Sequence, residues 1–176
     1  MERATQKKLK PVALLYDIRK SVSEILDKPF SEHINHQIFR PDKKALAFWA
    51  IDCSEHVLPY FEQKYPDDNR PRKALDALKA WINTGMFKMA VIRKASLDAH
   101  AAAKDATEDY AKYAAHAAGQ AVATAHVPTH AFGSSVYSIR AVVAYSGNVD
   151  DGLIMERNWQ LQRLRDITKQ LAQKKA

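Results

Sequence analysis

The chain predicts an all-α fold, a compact bundle of about seven helices. Three observations carry that prediction. Only 5 of the 176 residues are glycine. Strand-type alternation is scarce, while apolar residues recur at spacings of three and four. Alanine, the strongest helix former, is abundant. A chain of this length buries roughly 70% of the surface it exposes when unfolded, so neither a metal nor a disulfide is needed as a staple. The expected division is a basic N-terminal tail over residues 1–10 and a single all-helical domain over residues 11–176.

The first helix is expected from about Pro11 to Leu26, with Pro11 in its first turn and Leu15, Ile18, Val22 and Ile25 as its apolar stripe. "DKPFSEHINHQIFRPD" follows as a connector interrupted by Pro29 and Pro41. A second helix runs from near Pro41 to about Lys64, placing Leu46, Trp49, Cys53, His56 and Tyr60 on one face. The third spans about Pro71 to Thr84, and Gly85 stands where a left-handed C-terminal cap belongs. Lys88 to His126 reads as two helices broken near Asp105, where "DATE" offers an aspartate N-cap with a glutamate three residues on. Between Ala95 and His126, 14 of 32 residues are alanine, which predicts an Ala-rich pair at the centre of the bundle. A sixth helix runs from about Pro128 to Tyr145 and stops at Ser146-Gly147-Asn148. The last, from about Asp151 to Gln173, carries Leu161, Leu164, Thr168 and Leu171 along one side. Trp49 and Trp81 are expected in the core, with Trp159 beside the leucine stripe.

Charge and composition narrow the function classes. The net charge is +7, of which residues 1–10 carry +3 and residues 163–176 carry +4, leaving residues 11–162 neutral. A dedicated nucleic-acid reader gathers its cations on one face of the folded body, so a nucleic-acid partner is disfavoured here. The single cysteine, Cys53, excludes an internal disulfide and fits a reducing compartment. The charged start "MERATQKKLK" lacks a signal-peptide pattern, and no stretch reaches the ~18 apolar residues of a membrane span. A cytoplasmic protein with no membrane partner is the expectation.

No motif announces catalysis. There is no nucleophile elbow, no GxxxxGK[ST] loop and no dinucleotide glycine pattern. Asp52, Glu55 and His56 lie close together on the second helix and are candidates for acid–base work. His116, His126 and His130 lie in or beside the alanine-rich region. His126 and His130 have the i, i+4 spacing of a metal-ligating pair, but Pro128 between them spoils the helical face and no HExxH glutamate follows. These six form a weak polar cluster, and the reading assigns no catalytic residue, no metal and no cofactor. Cys53, mid-helix on an apolar stripe, reads as a structural thiol.

The densest polar stretch is "YPDDNRPRKALDA", residues 65–77. Pro66 ends the second helix, Asn69 or Asp68 caps the third, and Pro71 suits its first turn. Asp67 and Asp68 also suit the positive end of the helix dipole. Arg70 and Arg72 are unexplained by capping. Partners for them are Asp67 or Asp68, or a carboxylate of another helix such as Asp52 or Glu55.

"DCSEHVLPYFEQKYPDDNRPRKALDALKAW" (52–81), "AAHAAGQAVATAHVPTHAFGSSVYSIRAV" (114–142) and "ERNWQLQRLRDI" (156–167) together resemble the immunity-protein-five-like family of bacterial toxin–immunity systems. The resemblance covers most of the chain from about Arg40 onward. It implies an all-helical cytoplasmic protein, non-catalytic, whose partner is a cognate protein toxin that it binds and neutralises. Asp67, Asp68, Arg70 and Arg72 then stand as a partner-binding or structural signature. The alternative from the residues alone is a small metal-dependent or His/carboxylate enzyme. That reading requires His56, His116, His126 or His130 to meet Asp52 or Glu55 in one cavity.

Overall fold

Seven helices follow one another in the computed structural model, which describes residues 11–26 and 43–174. They are α1 (Pro11–Ile25), α2 (Lys43–Glu62), α3 (Arg70–Thr84), α4 (Met89–Asp105), α5 (Asp109–Ala123), α6 (His130–Ser146) and α7 (Val149–Gln173). No strand occurs among the described residues. The expected basic tail 1–10 and the connector after α1 lie outside them.

Small residues set how the helices pack. On α5, Ala111, Ala114, Ala115, Ala117, Ala118 and Ala121 are buried along one broad face. Among the described helices, α5 packs against α2, α3, α4 and α6, and α4 against α3 and α5. With side chains this small, backbones approach closely enough for serine hydroxyls to reach a neighbouring helix's carbonyls. Ser134 donates to the Ala50 carbonyl (3.1 Å), Ser138 to that of Cys53 (2.8 Å) and Ser96 to that of Gly119 (2.9 Å). Large side chains fill the space beside this contact zone. Trp49, Phe61, Leu46, Leu58, Leu75, Leu78, Ile139 and Leu164 are fully buried, each contributing about 1.5–3 kcal/mol of transfer free energy.

Several local expectations shift by a position. On α1 the buried line is Leu14, Ile18 and Val22, four residues apart, and Leu15 and Ile25 only flank it. On α7 Ile167 joins Leu161 and Leu164 in the core, while Leu171 is partly buried. Trp49 is in the core as expected. Trp81 is half-buried, with the Lys43 ammonium 5.1 Å above its ring.

The helix ends are set by glycine and by ion pairing. Gly85 and Gly147 adopt φ of +69° and +68°, and each amide closes the last turn onto the carbonyl four residues back. The "DATE" capping box does not form. Asp105 closes α4, and α5 is capped at Glu108 with no side-chain bond to the helix. Both carboxylates are drawn outward to partners on the α2–α3 connector, which outcompete the local cap. Pro59 sits inside α2, on its exposed side.

Candidate functional site

The 65–77 stretch forms a polar clasp. Asn69 holds the N-cap position of α3 without a side-chain bond, and Asp68 Oδ1 instead accepts the Arg70 amide at 3.1 Å. Arg70 returns to the same carboxylate through Nε (2.9 Å) and Nη2 (2.6 Å), and Nη2 also reaches Asp105 at the end of α4 (2.7 Å). Arg72 points the other way. It grips Glu62 with two parallel bonds of 2.8 and 2.9 Å and touches Glu55 at 3.1 Å, tying α3 to α2. Next door, the Tyr65 hydroxyl donates to Glu108 Oε2 (2.6 Å) and accepts the Thr107 amide (2.8 Å), while Lys64 pairs with Glu108 at 2.9 Å.

Two of these carboxylates, Glu108 and Asp68, are held in their charged form. The Tyr65 hydrogen bond and Lys64 bring Glu108 down to about 2, and Arg70 lowers Asp68. The connector, residues 64–70, lines an open cleft of about 550 Å3, and Asp67 is exposed on it. Of the two carboxylates proposed for Arg72 from other helices, Glu55 is a partner. Asp52 pairs instead with Arg163 of α7, 3.0 Å from its Nε.

The six residues of the weak polar cluster are not brought together. Asp52 meets Arg163; Glu55 meets Arg72 and Lys79. His56 Nδ1 lies 2.9 Å from Glu156 Oε2, and its ring stacks on Trp159 at 4.0 Å. His116 Nδ1 faces His100 Nδ1 at 2.8 Å and the ring stacks on Tyr137. His130 bonds Gln120 at 2.7 Å, with the His126 ring 5.2 Å away. No group of three or more His, Cys, Asp or Glu side chains that could hold a metal ion occurs among the described residues.

The most buried polar network was not visible in the sequence. Glu156 is 2% exposed, and its second oxygen accepts from Gln160 Nε2 at 2.7 Å. Gln160 in turn accepts from the Ser135 hydroxyl, and its backbone carbonyl takes the Trp49 indole N–H at 2.7 Å. The hydrogen bond that His56 donates to the Glu156 carboxylate raises the imidazole above its ordinary value, and burial together with that charge raises Tyr60. Burial and the charges of His100 and Arg140 push His116 down to about 4. His100 is lowered too, by burial first and then by Lys104.

A carboxylate holding an imidazole is the orienting half of a nucleophile–base arrangement. The nucleophile half is not poised here. The Ser135 hydroxyl is committed to Gln160 inside the core, and burial raises the Cys53 thiol well above its ordinary value. Fold and side chains together define an all-α scaffold in which Asp52, Glu55, His56, His116 and His130 each have separate partners. The model of the family described as Imm-5 like putative immunity protein matches residues 36–167, and the chain belongs to that family. Neither the curated proteins nor the solved structures contain a match.

Proposed function

We propose that this chain is a non-catalytic immunity protein that binds a cognate bacterial toxin in the cytoplasm and neutralises it. The observation that carries the reading is the family match, which takes in α2 to α6 entirely and most of α7. The separate partners of these groups support it, since the enzyme alternative needs His56, His116, His126 or His130 to meet Asp52 or Glu55 in one cavity. No helix of the described residues is long and apolar enough to cross a membrane. In this reading residues 11–176 act as one helical domain. Asp68, Arg70 and Arg72 brace the α2–α3 corner, and Asp67 is the signature residue open to contact. Residues 11–162 carry no net charge, whereas inhibitors that cap basic nucleases by charge mimicry present acidic faces. The toxin is therefore not a strongly basic nuclease.

The test is co-expression in a sensitive host with the toxin encoded beside this chain's gene. Survival that depends on this chain, together with a stable complex of the two purified proteins, is the expected result. Toxin-dependent killing that is unchanged by the chain, with no complex, would refute the proposal.

A further inference from the structure

Among the described residues ten large apolar side chains are exposed, and five of them, Met86, Phe87, Met89, Val91 and Leu97, fall within twelve positions at the α3–α4 corner. The same stretch is charged with one sign. Residues 77–97 contain Lys79, Lys88, Arg93 and Lys94 and no acidic residue. Lys43 joins them from the start of α2, its ammonium 5.1 Å from the Trp81 ring and 5.6 Å from that of Phe87. Lys79 and Lys94 have carboxylate partners, Glu55 and Asp98. Lys88 and Arg93 have none among the described residues. Beside Val91, α3 and α4 part into a cleft of about 310 Å3, lined also by Lys73, Ala77, Ala95 and the paired Lys94 and Asp98.

An exposed apolar patch rimmed by charge marks an interaction surface rather than ordinary exterior. We infer that this corner is where the partner docks, and that the partner is a protein presenting carboxylates around apolar side chains. The inference rests on the immunity reading and adds the chemistry of the toxin's contact face. Charge complementarity selects the acidic partner, since unpaired Lys88 and Arg93 flank the apolar groups. A second copy of this chain would bring the same cations against themselves in a two-fold pairing. A flat anionic lipid surface leaves the concave α3–α4 cleft unfilled, whereas a protein side chain enters it. Methionines suit such a contact because they adapt to a partner's shape, and Phe87 with Trp81 supplies the aromatic anchor typical of binding hot spots.

The experiment measures binding of the neighbouring-gene toxin to the full chain, to Phe87→Ser, to the double variant Lys88→Glu/Arg93→Glu, and to Ile154→Ser/Met155→Ser as control. The control residues are more exposed than Phe87 but lie on α7, which does not contact α3 or α4. Circular dichroism verifies each fold. The expected result is that both corner variants weaken binding tenfold or more, that the control binds like the parent, and that added salt weakens the parent more than the charge-reversed variant. Corner variants that bind like the parent sink the docking site while leaving the immunity reading intact. A parent chain that fails to bind the toxin sinks both. Phe87→benzoylphenylalanine adds an independent readout. Photocrosslinks to the toxin support the proposal. Crosslinks instead to residues 27–42, to a second copy or to phosphatidylglycerol vesicles overturn it.

Discussion

Replacing His56 with alanine tests the central polar network directly. The imidazole gives Glu156 one of its two hydrogen bonds and stacks on Trp159. Removing one partner of a fully buried ion pair costs about 3–5 kcal/mol. Here the His56 side chain is 43% exposed, so water enters the vacated space, and Gln160 still donates to the carboxylate. Those two facts bring the electrostatic loss to about 1.5–2 kcal/mol, and the lost ring stacking adds about 0.5–1 kcal/mol. The expected destabilisation is therefore about 2–3 kcal/mol, read as a lower urea midpoint with unchanged slope.

The pH dependence gives a sharper criterion. His56 has a raised value in the folded state, so its stabilisation is complete below the imidazole's unfolded value of about 6.5 and is lost as pH rises through the folded value. The gap between parent and His56→Ala should then be wider at about pH 6 than at about pH 9. His100 and His116 titrate in both proteins, and their contributions cancel in the difference. A gap that does not change with pH, or one below about 0.5 kcal/mol, would refute an ionic His56–Glu156 pair.

The other predictions concern neighbouring parts of the bundle. His116, held at about 4, should show no imidazole titration by NMR at neutral pH. Because its folded value is lowered, protein stability should fall as pH drops below the unfolded imidazole's value of about 6.5. Gly119→Ala places a methyl 2.8 Å from the His100 ring, which is pinned by His116; a loss of about 1–3 kcal/mol is expected in thermal or urea unfolding. Arg70→Ala breaks one half-buried and one exposed ion pair, so urea unfolding should show a loss of about 1 kcal/mol that shrinks with salt. Cys53 should react with a thiol reagent only after unfolding, since it is buried with a raised thiol value.

Helices were legible because each is a local pattern. Gly85 and Gly147 stop α3 and α6 where a left-handed residue was needed, and the three- and four-residue apolar spacing located α1, α2 and α7. The first failure is instructive. "DATE" satisfies the local rule for an N-cap, yet Arg70 and Tyr65, more than thirty residues earlier, bind its two carboxylates. A capping bond contributes only about 1 kcal/mol, so a partner from outside the helix can displace it. The buried network is illegible for a related reason. Trp49–Gln160, Asp52–Arg163 and His56–Glu156 each join α2 to α7 across about a hundred residues. A faint signal did exist. Glu156 and Gln160 extend the line of Leu164 and Ile167 up the same face of α7, so two polar residues continue an apolar stripe. Polar groups placed there must find buried partners, but the sequence does not say on which helix.

Charge makes the same point at the scale of the whole molecule. A net charge of zero over residues 11–162 argues against a nucleic-acid reader and against an acidic decoy, because both need an excess of one sign. It is nevertheless an average over faces that chemistry keeps apart. At the α2–α3 corner the arginines are consumed by Asp68, Asp105, Glu62 and Glu55, so that dense cluster presents little unbalanced charge. Residues 77–97 hold fewer charges but all of one sign, two of them unpaired beside exposed methionine and phenylalanine. In the reading proposed above, the stretch richest in functional-looking side chains serves as a brace, and the plainer stretch after it is the surface inferred to meet a partner.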